Sequence, residues 1–216
     1  MTTTASAKAV ARALVKIGAV GFSLETPITF KSGMKSPVYV DNRRLPFFPD
    51  QWQVIIDGFA QILEKEKMPY DIIAGIETAG IPHSAALGFL LRQPSVFVRK
   101  QIKDHGTKSR IEGGAVLGKR VLLVEDLVTT GSSSLSGVEA LREAGALSTD
   151  CLAIVSYGFP DSKKAFAAAK VTLHPLTSFQ DILQEAVKQA KITSVQRAVV
   201  EEWLADPWKW SKKYQE

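Results

Sequence analysis

A chain of 216 residues, 45% hydrophobic and 23% charged, has the size and composition of one domain with a large buried core, which excludes a disordered or low-complexity protein. Its formal charge of +5 is too mild to point to a nucleic-acid partner, because that footprint needs basic residues concentrated on one face; no uncharged apolar run reaches the roughly 18 residues of a membrane span, so no membrane partner is expected either. The single cysteine, Cys151, rules out an internal disulfide framework and fits a reducing compartment, so a cytoplasmic location is expected.

Residues 1–8 are small and polar, without the apolar stretch of a signal peptide. Residues 7–18 carry the spacing of an amphipathic helix. Residues 30–40 read as a hairpin turning at Ser32 and Gly33. Asp50 is placed to cap a helix that carries Val54, Ile55, Phe59, Ile62 and Leu63 on one side. Four short apolar runs without alternation follow, at Ile72–Ile76, 96–98, 121–124 and 152–155, as expected of strands covered on both faces. Cys151 abuts the last run and reads as a core residue. Helix patterns at Gly80–Leu91 and 132–144 separate the runs, and such alternation predicts an α/β protein with a doubly wound parallel sheet. Near the C-terminus Thr177 and Thr193 are each placed to cap a helix, and Trp203, Trp208 and Trp210 read as packing residues of a docked helical tail. No repeat or interdomain linker interrupts residues 1–216, so a single domain is expected.

Two segments carry chemistry. Residues 99–110 hold Arg99, Lys100, Lys103, His105, Lys108 and Arg110 against one acid, Asp104. A basic loop this compact suits a small anionic substrate at least as well as a polynucleotide. At residues 121–133 an apolar strand runs into Glu125 and Asp126, then Leu127, Val128, and a turn of Thr129, Thr130, Gly131, Ser132 and Ser133 that opens a helix. Successive backbone N–H groups and hydroxyls at a helix N-terminus form a phosphate site, and Gly131 lets the backbone approach closely. The two carboxylates would repel a phosphate unless they face hydroxyls, a metal ion or a developing cation, and a ribose 5-phosphate meets those conditions.

These thirteen residues match, position by position, the phosphoribosyl diphosphate (PRPP) signature of the type I phosphoribosyltransferases. The resemblance implies that family's fold, that Glu125 and Asp126 hold the ribose 2- and 3-hydroxyls, that residues 129–133 hold the 5-phosphate, and that Leu127 and Val128 also belong to the PRPP site. The basic segment resembles the mobile catalytic loop of the members that take orotate as acceptor, with its Arg-Lys-x-x-Lys-Asp-His-Gly core intact. That implies roles in PRPP binding for Arg99, Lys100, Lys103 and His105, with Lys103, His105 and Asp126 in catalysis. Cations placed on the departing diphosphate stabilise the transition state more than the ground state. Residues 30–33 and 36–41 resemble the family's N-terminal hood, expected at about residues 1–45. This implies that Lys31 reaches both substrates and that Tyr39, Val40 and Thr129 meet the pyrimidine. Glu77, Thr78, Ala79 and Gly80 resemble the loop whose amides face the diphosphate. The helical tail is expected at about residues 177–216.

One position departs from the pattern. Many members carry an Asp-Arg pair after the strand that follows the PRPP helix, and that arginine meets the orotate carboxylate. Here the chain reads Ser156, Tyr157, Gly158, Phe159, leaving Lys31, Thr129 or backbone amides for the task. The resemblance further implies Mg²⁺ held mainly through PRPP and water, with no direct protein cage, and a homodimer that shares the catalytic loop between subunits. A phosphoribosyltransferase for another base, and a PRPP-binding regulator without chemistry, are the alternatives. The first leaves the basic loop and hood unexplained, and the second lacks an appended nucleic-acid-reading element.

Overall fold

The structure, a computed structural model, describes residues 7–30, 32–101 and 109–214. In chain order it comprises α1 (Ala7–Lys16), four short strands β1 (Val20–Phe22), β2 (Ile28–Thr29), β3 (Lys35–Ser36) and β4 (Val38–Val40), a 3-10 helix (Asn42–Phe47) and α2 (Pro49–Lys65). There follow β5 (Ile72–Ile76), α3 (Gly80–Leu91), β6 (Ser95–Val98), β7 (Ile111–Glu112), β8 (Val121–Val128), α4 (Ser132–Glu143), β9 (Asp150–Ser156), α5 (Pro160–Ala168) and β10 (Thr172–Ser178). The tail comprises α6 (Phe179–Lys188), α7 (Ser194–Ala205) and α8 (Pro207–Lys212).

The main sheet has the order β10-β9-β8-β5-β6-β7, parallel throughout except for β7, which runs antiparallel to β6. From β5 the chain steps outward to β6; from β8 it steps the other way to β9 and β10. The winding therefore reverses between β5 and β8, and the crevice outside their carboxyl ends is where such sheets bind ligands. Alternate strand residues feed two cores. Ile73, Leu122, Val124, Leu152 and Ile154 pack with α1, α2 and α6, whereas Ala74, Leu123, Cys151 and Ala153 pack with Val138 and Leu141 of α4 and Phe166 of α5. This double coverage is why the strands read as unbroken apolar runs.

Several local expectations need correction. Asp50 does not cap α2: Pro49 opens the helix and Phe48 takes the cap position, because proline suits a first turn whose N–H groups have no partner. Thr177 lies inside β10, and Ser178 caps α6 in a reciprocal box with Asp181; Thr193 caps α7 with Gln196 as expected. β10 escaped the sequence reading because Pro175 interrupts it, which a sheet edge tolerates. The hairpin is shorter than expected, pairing Ile28 with Ser36 and Thr29 with Lys35. Beyond Pro37 the chain leaves that partner, and β4 pairs with β1 instead. Trp203 and Trp210 are buried as expected, but Trp208 is 41% exposed.

Candidate active site

The site begins with a mismatch in strand length. β8 pairs with β5 only as far as Val124 opposite Gly75, yet it pairs with β9 on to Val128 opposite Ser156. Strand β8 therefore reaches beyond the residues 121–124 expected from sequence, and Glu125, Asp126, Leu127 and Val128 present a free edge toward β5. Two other segments close on that edge. Gly80, at the start of α3, is pressed against it so tightly that a Cβ there would clash with the Val124 carbonyl oxygen. From the hood, the buried Asn42 donates through Nδ2 to the Asp126 carbonyl oxygen at 2.9 Å.

The phosphate turn follows. Gly131 has φ +86°, and a Cβ there would lie 2.7 Å from the Phe166 ring. Left-handed backbone and the nearby ring together require glycine. The Thr130 and Ser132 hydroxyls stand 3.0 Å apart at the positive end of the 12-residue α4, where backbone amides and helix dipole both favour an anion. The cavity here measures about 490 Å³ and is lined by residues 127–133 together with Lys100 and Arg110. The basic run of the sequence does not by itself set Arg110 apart as a site residue. Arg110 is held in place by Nε donation to the Arg99 carbonyl at 2.8 Å and Nη1 donation to Ser136 Oγ at 3.1 Å. Arg99 sits in the stem of the β6–β7 hairpin with Nη1 3.4 Å from Glu112 Oε1, and it does not line the cavity.

The loop after β5 is linked to the basic segment. Glu77 Oε2 accepts from the Lys100 amide at 2.8 Å, and its own amide donates to the Val98 carbonyl at 2.9 Å. In this arrangement Glu77 anchors the start of the basic loop. Thr78 is exposed, Ala79 half-buried and Gly80 buried. Lys31, Lys103 and His105 lie outside the described residues.

The two acids, adjacent in sequence, have different surroundings. Glu125 is 4% exposed; its Oε1 accepts from the Asp126 amide at 3.0 Å and its Oε2 from Ser134 Oγ at 3.4 Å. Burial, followed by the charge of Asp126, pushes its carboxyl well above the usual range. Asp126 is half-buried and its charge is felt by Arg43 of the hood.

A second cavity of about 430 Å³ shares Phe30, Leu127 and Thr129 with the first and adds Tyr39, Val40 and Arg43. Its Phe30 wall leans on Tyr157 and Trp203, with ring centroids 6.0 and 6.2 Å away. Trp203 Nε1 donates to the Lys35 carbonyl at 3.1 Å, and the Lys35 amide donates to Ser211 Oγ at 2.8 Å. The tail thus grips the hood strand that follows Phe30. Where many members of the resembling family carry a carboxylate-binding arginine, Tyr157 and Phe159 stack at 5.3 Å and 5°. That position holds up the hood instead of presenting a charge.

Comparison with known proteins agrees with this arrangement. Residues 50–174 match the phosphoribosyl transferase domain. The chain is 39% identical to the orotate phosphoribosyltransferase of Coxiella burnetii over 93% of its own length and 96% of that protein. Among solved structures, the orotate phosphoribosyltransferase of Aeropyrum pernix is similar at a TM-score of 0.73 and 30% identity, covering 85% of this chain and 99% of that one. Leishmania donovani UMP synthase is similar at 0.80 and 28%, covering 92% of this chain but only 42% of that longer one. A strand-end acid pair, a phosphate turn at a winding reversal and near-full-length likeness lead to one conclusion: the chain belongs to the phosphoribosyltransferases, in their orotate phosphoribosyltransferase branch.

Proposed function

We propose that the chain transfers ribose 5-phosphate from PRPP to orotate, giving orotidine 5-monophosphate and diphosphate, in the synthesis of UMP. The observation that carries this reading is the shared wall of the two cavities. Leu127 and Thr129 belong to both, so a 5-phosphate in the turn and a flat ring under the hood meet at the ribose C1. An orotate nitrogen attacks C1 as the C1–O bond breaks; the nitrogen gives up its proton and diphosphate leaves with the C1–O electron pair. The Asp126 carboxylate stabilises the cationic ribosyl group, Glu125 and Asp126 serve the ribose hydroxyls, and Lys100 and Arg110 take up charge on the diphosphate together with Lys103 and His105 of the basic loop. Lys31, Tyr39 and Val40 serve the acceptor, and the amides of residues 77–80 face the leaving group.

Mg²⁺ fits this reading as a substrate-borne ion. No group of three acid, histidine or cysteine side chains able to cage a metal lies among the described residues, whereas Asp126 offers one carboxylate near the ribose end. A hard cation that keeps its waters and binds substrate phosphates suits that donor set. When bound, it neutralises charge on the diphosphate.

The chain acts as one domain, since hood residues Met34 and Val38 and tail residues Phe179, Trp203 and Trp210 share one core cluster. It works as a homodimer in the cytoplasm. Phe89, 90% exposed, lines a groove between α2 and α3 with Pro49, Trp52 and Ile56, a surface suited to a second copy. No helix of the described residues is long and apolar enough to cross a membrane. Diphosphate release measured with orotate, uracil and purine bases tests the assignment: selective release with orotate is expected, and equal release with uracil would sink it. Subunit exchange between inactive Lys103→Ala and Asp126→Ala proteins tests the shared loop, with activity expected to return only in mixed dimers.

A further inference from the structure

We propose that Arg43, on the hood, receives the carboxylate of the acceptor and so makes the site selective for an acidic pyrimidine. This inference rests on the reading of orotate as acceptor. It resolves what the resemblance leaves unassigned, because Phe159 and Gly158 offer no cation after β9. In the acceptor cavity the walls Ile28, Phe30, Val40 and Leu127 suit the faces of a flat ring, and Arg43 is the one cation among the described residues that line it.

The guanidinium is oriented before any ligand arrives. Its Nε donates to Asp41 Oδ1 at 2.6 Å, and Asp41 also accepts from the Arg43 amide at 3.3 Å as cap of the 3-10 helix. Asp41 therefore occupies the Nε side of the fork. The outer edge, Nη1 and Nη2, remains available for a second carboxylate in the bidentate geometry that arginine favours. The side chain is 70% exposed, so that edge is accessible from the cavity.

The pairing of Arg43 with Asp41 is electrostatically firm. The hydrogen bond from Arg43 keeps the Asp41 carboxyl below its usual range, and Arg44 adds to the effect. Arg44 is committed elsewhere, with Nη1 on the Gly18 carbonyl at 3.0 Å, which leaves Arg43 to meet the ligand. Arg43 also feels the charge of Asp126, and it lines the acceptor cavity together with Thr129.

The test compares wild type with Arg43→Gln and Arg43→Lys, measuring KM for orotate and PRPP, the ratio of kcat/KM for orotate over uracil, and direct calorimetric binding of orotidine 5-monophosphate. A charged hydrogen bond lost from the acceptor should lower the orotate-to-uracil ratio by about tenfold to a hundredfold in Arg43→Gln. The KM for PRPP should stay within about twofold, and Arg43→Lys should recover part of the ratio by restoring charge without the fork. A wild type that is indifferent between orotate and uracil would defeat the acceptor assignment before any variant is made. A selective wild type whose ratio is unchanged in Arg43→Gln, or a variant in which KM for PRPP rises as much as KM for orotate, would overturn the role of Arg43 alone.

Discussion

The phosphate turn and the acceptor cavity meet at Leu127 and Thr129, yet they are held in place by different means. The turn is local. One strand, one glycine and one helix N-terminus supply it, and the ladder from β8 to β9 fixes it. The acceptor cavity is assembled from a distance. Its Phe30 wall is propped by Tyr157 and Trp203, and the strand after Phe30 is clamped by Trp203 and Ser211 from the tail. The difference teaches that the phosphate turn depends mainly on its own strand and helix, whereas the acceptor end depends on the far C-terminus.

The largest effect should come from the tail. Trp203 is 0% exposed and packs edge-on against Tyr157, Phe159 and Phe179. Trp203→Ala should cost about 3–5 kcal/mol of stability, read as a lower urea midpoint, and should raise KM for orotate more than KM for PRPP. Trp203→Phe keeps most of the ring but loses the donor to Lys35, a change worth about 1 kcal/mol. If both variants raise the two KM values in parallel, the two regions are not separable.

Next come changes inside the phosphate end. Asp126→Asn keeps the shape and removes the charge from the ribose. Turnover should fall about a hundredfold, equivalent to about 2.7 kcal/mol, while thermal unfolding stays near wild type. Unchanged turnover would remove Asp126 from the chemistry. Arg110→Ala should be milder, raising KM for PRPP about tenfold, or about 1.4 kcal/mol, with KM for orotate little changed.

The same contrast governs how much could be read from sequence. The turn at residues 129–133 was legible because contiguous residues build it, and the apolar runs gave β5, β6, β8 and β9 because both sheet faces are covered. Ser178 displaced Thr177 as cap, and Pro49 displaced Asp50, through one-residue choices that composition does not fix. Arg43 was not legible because it lies just past the hood segment that carries Tyr39 and Val40; its meaning comes from Thr129, which folding brings to the same cavity. Arg110 was hidden among five other basic residues, and only its bonds to Ser136 and Arg99 separate it from them. The grip of the tail on the hood was not legible, since the bonds joining Lys35 to Trp203 and Ser211 span more than half of the chain.

The smallest effect concerns Glu125, and it asks whether the phosphate end is held by a charge or by a shape. In the folded protein burial raises its pKa well above the ordinary value of 4.5, so the native state binds this proton more tightly than the unfolded chain does. By linkage, the stability contributed by protonated Glu125 is fully present below about 4.5, the ordinary value, and is lost as pH rises through the raised native value. Glutamine has the shape of the protonated acid. Its oxygen can accept from the Asp126 amide, its amide group can donate to Ser134 Oγ, and it carries no charge beside Asp126. The Tm of Glu125→Gln minus that of wild type should therefore be near zero or negative at acidic pH and should climb as pH rises to neutrality. The size expected is about 2–4 °C, the shift that 1 kcal/mol makes in a domain of 150–250 residues. Differential scanning fluorimetry across that range is sufficient to measure it. A Tm difference that stays flat with pH would mean that Glu125 ionises normally beneath α4, and that the turn tolerates a buried charge.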